Sequence, residues 1–238
     1  MTHISHPYIQ RIGINRDWRS RWYAKEPKLF REYLRTDAAV RKLLNTRLKG
    51  MGIGDITIER NQTELRIVIK TSRPGLVIGR SGEGVIKLKK DIDMLLRKLK
   101  LSEKPDIKLD IEEIRSAETS ATIVGQMVVE GLEKRIPFRR VMKQTIEKVM
   151  ANRDVEGVRI TCSGRLGGAD MARKEELKKG RIPRQTLRAD IDFTNARATL
   201  PYGVIGIKVW IYRGDIFSER NANSQKADGG KTKFSKSL

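Results

Sequence analysis

The sequence predicts an α+β chain made of two successive units: a helix-strand-strand-helix-helix-strand module, then two helices on a mostly antiparallel sheet. Three observations carry this expectation. Some stretches place apolar residues at the i, i+3, i+4 spacing of a one-sided helix, and others alternate apolar with polar residues as half-buried strands do. Glycine and proline fall at the changes between the two patterns. The length of 238 residues suits one to two domains.

In order along the chain, residues 1–35 form a basic, aromatic N-terminal segment, with Tyr8, Trp18, Trp22 and Tyr23 among Arg11, Arg16, Arg19, Arg21, Lys25 and Lys28. Such interleaving either stacks on bases and pairs with phosphates, or anchors a chain end to a core. The first module occupies 36–113. Thr36 is placed as the N-cap of a helix carrying Val40, Leu43, Leu44 and Leu48 on one face, stopped by Gly50 and Gly52. Ile53, Ile56 and Ile58, a polar turn from Asn61 to Glu64, and Leu65, Ile67 and Ile69 make a hairpin. Pro74 and the apolar run Leu76, Val77 and Ile78 give a short helix. The loop Gly79, Arg80, Ser81, Gly82 follows, and then a long helix with Val85, Leu88, Ile92, Leu95, Leu96 and Leu99 on its buried face. Ile107, Leu109 and Ile111 close the module as a strand.

The second unit occupies 114–214. Ser116 is placed as the cap of a helix bearing Val124, Met127, Val128 and Leu132, and Pro137 separates it from a second helix that buries Phe138, Met142, Ile146 and Val149. Strands are read at Val158, Ile160 and Cys162; at Leu187, Ala189, Ile191 and Phe193; and at Ile205, Ile207, Val209 and Ile211. Between the first two lies a glycine-rich basic connection, Ser163 to Arg184. The polar tail, 215–238, has too little to bury to offset the entropy of ordering, so disorder is expected there.

Composition narrows the function. Lys and Arg number 50 against 29 Asp and Glu, a formal net charge of +21. A compact chain carrying that much like charge repels itself unless an anionic partner offsets it, and nucleic acid is the densest such partner. No stretch of about twenty apolar residues marks a membrane span and no apolar leader core is visible, so the cytosol is the expected compartment. Cys162 is the single cysteine, which excludes an internal disulfide and a cysteine-based zinc site. His3 and His6 are the two histidines, a poor metal pair without a third ligand. No cofactor, metal or small-molecule substrate is expected, nor catalysis. Asp190 and Asp192 share a strand face but sit beside arginines such as Arg188 and Arg197, which favours ion pairing over acid-base work.

Three constellations point to RNA. Gly79, Arg80, Ser81 and Gly82 lie between two helices, where glycines let the backbone approach a phosphodiester and Lys87 follows on the next helix. The surrounding element order is that of a KH module. A nucleotide-binding loop fails on context, because no strand feeds the loop and no Gly-Lys-Ser or Gly-Lys-Thr ending follows. Arg139, Arg140 and Lys143 project from one side of the helix after Pro137, with Glu147 the nearest acid on that helix. Arg165, Arg173, Lys174, Lys178, Lys179, Arg181, Arg184 and Arg188 lie with Gly164, Gly167, Gly168 and Gly180, a combination suited to backbone approach and phosphate contacts on folded RNA, and Arg11, Arg16, Arg19 and Arg21 add further candidate phosphate contacts.

Five stretches carry a resemblance: GINRDWRSRWY from Gly13 to Tyr23, GLVIGRSGE from Gly75 to Glu83, SGRLGGADMAR from Ser163 to Arg173, GRIPRQTLRADIDF from Gly180 to Phe193, and GVIGIKVWIYR from Gly203 to Arg213. Together they resemble the bacterial form of the universal small-subunit ribosomal protein S-three family. The resemblance implies a type II KH domain and a family-specific α+β domain on the head of the small subunit, binding its ribosomal RNA. It also implies a place beside the channel by which mRNA enters, where Arg139, Arg140 and Lys143 in FRRVMK would face incoming mRNA and assist its unwinding passively. The tenth and fourteenth proteins of the head, and the fourth and fifth at the channel, would be neighbours. The chain departs from the family in its first residues, and in having Arg80 and Ser81 where the loop usually carries two lysines. The alternative reading is a free KH-type regulator of particular messages, which would not need the residues beyond Ile114.

Overall fold

Two four-stranded sheets organise the computed structural model, which describes residues 5–61, 63–99 and 105–216. The 215–238 tail lies almost wholly outside the described residues, as do His3 and part of the hairpin turn.

In the first half a one-turn helix α1 (Pro7–Gln10) and a two-residue strand β1 (Ser20–Arg21) precede α2 (Pro27–Arg47). Strands β2 (Ile53–Arg60) and β3 (Glu64–Thr71) form the expected hairpin; α3 (Pro74–Ile78), α4 (Glu83–Lys98) and β4 (Asp106–Glu113) follow. The sheet order is β1-β2-β3-β4, with β2 and β3 antiparallel and both edge strands parallel to their neighbours. Val40 and Leu44 of α2, Leu48 just past its end, and Leu88, Ile92 and Leu96 of α4 press onto Ile58, Leu65, Ile67 and Ile69, the apolar face that strand alternation delivers.

α2 starts nine residues before the expected cap. Pro27 at the first helical position supplies the φ a helix needs, and Phe30 and Tyr33 of the added turns pack on Trp22 at 5.4 and 5.5 Å. Thr36 is therefore no cap: it is buried in mid-helix, donating to the Tyr33 carbonyl and accepting from Arg60. Exposed Phe30 and Leu34 blur the apolar period there and hide the true start.

In the second half α5 (Ala121–Glu133) and α6 (Phe138–Met150) cover one face of a sheet of β5 (Gly157–Gly164), β6 (Arg173–Gly180), β7 (Ala189–Leu200) and β8 (Gly203–Asp215). The order is β6-β5-β8-β7 and every pair is antiparallel. The core joins Val124, Val128 and Leu132 of α5 and Met142, Ile146 and Val149 of α6 to Val158, Ile160, Ile207, Val209 and Ile211. Phe138 is half-buried beside it.

Three expectations are corrected here. Ser116 opens a single 3-10 turn, and α5 begins at Ala121, whose N–H donates to Asp192 Oδ2 at 2.8 Å; a carboxylate brought by β7 satisfies the helix start that no neighbouring side chain caps. The strand expected at Leu187 to Phe193 runs instead from Ala189 to Leu200, because β8 supplies a partner for its polar second half. The basic connection contains a strand, β6, whose sequence RKEELKKG holds one apolar residue, Leu177. Pairing to β5 makes it extended, and its dense charge suits an exposed sheet edge.

Candidate nucleic-acid interface

The KH-type turn depends on close backbone packing between α3 and α4. A Cβ on Gly84 would collide with the Val77 and Ile78 carbonyls, and one on Gly79 would come within 3.1 Å of the Gly84 nitrogen. Gly79 and Gly82 have φ of +73° and +80°, and Ser81 between them is also left-handed at +51°. The result is a tight, protruding turn with Arg80 and Ser81 exposed at its tip. Among the described residues no carboxylate lies within ion-pair distance of Arg80, whereas Lys87 faces Glu83 at 3.8 Å. Val77 is buried, but Leu76, Ile78 and Ile86 are exposed on either side of the turn. Leu76 and Ile78 belong to the apolar run of the short helix, and five helical residues show no period that would mark which of them is exposed.

On α6, Pro137 sets the helix start and Arg139, Arg140 and Lys143 are exposed together. They are not equivalent. Arg139 Nε and an Nη donate to the two oxygens of Glu175 on β6, each at 3.1 Å, and Arg173 Nε reaches the same carboxylate at 3.2 Å. These bonds hold Glu175 below its ordinary range, chiefly through the Arg139 hydrogen bond, and raise Arg139. Arg139 and Arg173 also flank the Phe138 ring at 5.7 and 5.8 Å. Arg140 and Lys143 have no ion-pair partner among the described residues. The acid that tempers this cluster comes from β6 rather than the helix, so helix spacing gave no sign of it.

The basic stretch around β6 divides the same way. Lys178, Lys179 and Arg181 are exposed, and they and half-buried Arg184 have no ion pair among the described residues. Lys174 lies 3.9 Å from Glu176, and Arg188 binds Asp215 at 2.9 Å. Arg165 braces its own loop, donating to the Ala169 and Tyr202 carbonyls and to Asp170.

The N-terminal arginines mostly serve the fold. Arg11 is fully buried, and its guanidinium donates to the carbonyls of Pro7, Arg184, Thr186 and Ala189 at 2.7–3.1 Å. Burial lowers its pKa, Asp190 partly restoring it. With no atom left for solvent, Arg11 is removed from the RNA-contact candidates. Arg16 binds Asp190, Arg19 pairs with Asp55 while covering the Tyr8 ring at 4.7 Å, and Arg21 pairs with Asp17 and Glu59. Trp22 anchors the segment through Asp37, whereas Trp18 and Tyr23 stay exposed. Asp190 and Asp192 pair with Arg16 and Arg213 rather than with Arg188 or Arg197.

A family model for the KH domain matches residues 39–119, and one for ribosomal protein S3, C-terminal domain, matches residues 128–211. Small ribosomal subunit protein uS3 of Caldicellulosiruptor bescii is 44% identical over 221 residues, covering 93% of this chain and 96% of its own. That of Gluconobacter oxydans is 43% identical over 218 residues, 92% of each. That of Xanthomonas euvesicatoria pv. vesicatoria is 40% identical over 228 residues, 96% of this chain and 90% of its own.

Proposed function

Since this chain belongs to the family of small ribosomal subunit protein uS3, we propose that it binds small-subunit ribosomal RNA in the head of the ribosome and lines the channel by which mRNA enters. The family is a non-enzymatic one, and the role is one of holding and positioning RNA. The chain then resides in the cytoplasmic ribosome, beside the tenth and fourteenth proteins of the head and the fourth and fifth at the channel. Units 36–113 and 114–214 carry separate surfaces: the turn at Gly79, Arg80, Ser81 and Gly82 with Lys87, and the basic face of the second sheet and α6. Lys174, Lys178, Lys179, Arg181, Arg184 and Arg188, with Arg165 and Arg173 holding neighbouring backbone and acid in place, are the phosphate-facing set.

The observation that carries the mRNA part is the unequal cluster on α6. Glu175 fixes Arg139 against the sheet, while Arg140 and Lys143 remain exposed cations on the same helix turn. An ordered cation flanked by free ones attracts a phosphodiester backbone without selecting bases. As translocation exposes single-stranded mRNA, those cations stabilise it against re-pairing, with no fuel molecule consumed. Replacing Arg139, Arg140 and Lys143 together by alanine is expected to slow reconstituted ribosomes on structured messages and leave unstructured ones unaffected. Equal slowing on both would remove the unwinding role.

A further inference from the structure

The face of the second sheet that the helices leave uncovered bears a cavity of about 320 Å³, walled on one side by the start of the chain. There His6 meets the Phe193 ring edge-on at 4.7 Å, and Phe193 leans on Trp210 at 5.1 Å. Strand register delivers the rest. Arg159 and Thr161 of β5 stand opposite Trp210 and Lys208 of β8, and Lys174 of β6 lies at the rim. Its size falls within the range of small-ligand pockets.

Two properties distinguish it from an ordinary surface dent. Arg159 Nε, Thr161 Oγ1 and Trp210 Nε1 are all buried with no hydrogen-bond partner among the described residues, and Thr161 and Trp210 are 2% and 3% exposed. Buried polar groups forfeit their bonds to water and are normally paired. Three unpaired groups in adjoining register positions of one sheet face, two of them N–H donors and the third a hydroxyl, call for an acceptor-rich partner. The charge agrees. Among the described residues, Arg159 and Lys174 pair with one carboxylate, Glu176, and Lys208 has no ion pair.

We propose that this cavity is a nucleotide site. His6 and Phe193 take the base, backed by the buried Trp210 ring that Arg159 covers at 5.1 Å, Lys174 and Lys208 take the phosphate, and the buried donors bind base or phosphate acceptors. An acidic peptide would use the cations but leave the aromatic wall against water. An unpaired nucleotide of RNA and a free nucleoside phosphate share this chemistry. The site lies on the sheet face opposite α6, and its free-nucleotide arm is independent of the ribosomal reading.

Calorimetric titration of the full-length chain tests it with adenosine monophosphate, a single-stranded RNA trinucleotide and inorganic phosphate. Thr161→Val and Lys208→Ala are each expected to weaken nucleotide binding about tenfold, the cost of a lost charge-assisted or buried hydrogen bond. Thr161→Val should at the same time hold or raise the thermal midpoint of the free protein, since it removes an unpaired buried hydroxyl. Equal affinity for monophosphate and trinucleotide identifies a free nucleotide as the ligand, and markedly tighter trinucleotide binding identifies RNA. Unchanged affinity in both variants, or inorganic phosphate binding as tightly as the nucleotides, would overturn the proposal.

Discussion

Arg11 and Arg140 are the same residue type in the same basic chain, yet one has its guanidinium sealed among four carbonyls and the other has no ion-pair partner among the described residues. Neighbours brought from distant strands make the difference: Arg184, Thr186 and Ala189 for Arg11, and Glu175 for the intermediate case of Arg139. Burial works on Cys162 as well. At 0% exposure inside the second core, its thiol is pushed up from 9.0 to about 11, first by desolvation and then by the Glu175 charge. The unfolded thiol ionises at lower pH than the folded one. The thiol's contribution to stability is therefore complete below pH 9 and is lost as pH rises from about 9 to about 11. Alkylation by iodoacetamide at pH 9 should be negligible in the native protein and rapid in urea; similar rates in both would contradict the buried, neutral thiol.

Among the elements, the α3-turn-α4 unit is held by a backbone contact rather than by side chains. Gly84→Ala forces a Cβ against the Val77 and Ile78 carbonyls, so it should destabilise the first half by about 1–3 kcal/mol in denaturant unfolding and open the turn at Gly79. Gly75→Ala, with nothing within 4 Å and an ordinary helical φ, should gain about 0.5 kcal/mol. The pair separates a specific collision from a general intolerance of alanine, and equal effects would sink the close-packing account. β6 shows the converse case, an element made by its neighbour. Its eight residues pair in full register with β5, and Leu177 alone reaches the core, so the strand exists because β5 offers an edge.

At the scale of the whole molecule, residues 5–25 act as a strap between the two sheets. β1 extends the first sheet and Arg19 holds Asp55 there, while Arg11 and Arg16 fasten the same segment to β7 and its preceding loop. Gln126 of α5 adds a direct tie, donating to the Ile53 carbonyl. Arg11→Met would strip the guanidinium from four carbonyls beneath the strap, of which those of Thr186 and Ala189 keep the Ala189 N–H and the Asn15 amide as donors while those of Pro7 and Arg184 lose theirs. It is expected to cost about 3 kcal/mol or more and to lower the unfolding midpoint of the second half away from that of the first. A single unshifted transition would show that the strap bears no load.

The sequence by itself determined the α+β class, the order of the main elements, the tight turn at Gly79 to Gly82 and the basic character of α6, because period, glycine placement and charge are local properties. The cap at Ala121, the strand β6 and the length of β7 were hidden, since each depends on a partner supplied from far along the chain. Only the tertiary structure decided which basic residues are free. Hydrogen bonds and ion pairs between strands and strap consume Arg11, Arg16 and Arg165 and temper Arg139, and spacing along a chain carries no record of the groups that folding brings opposite.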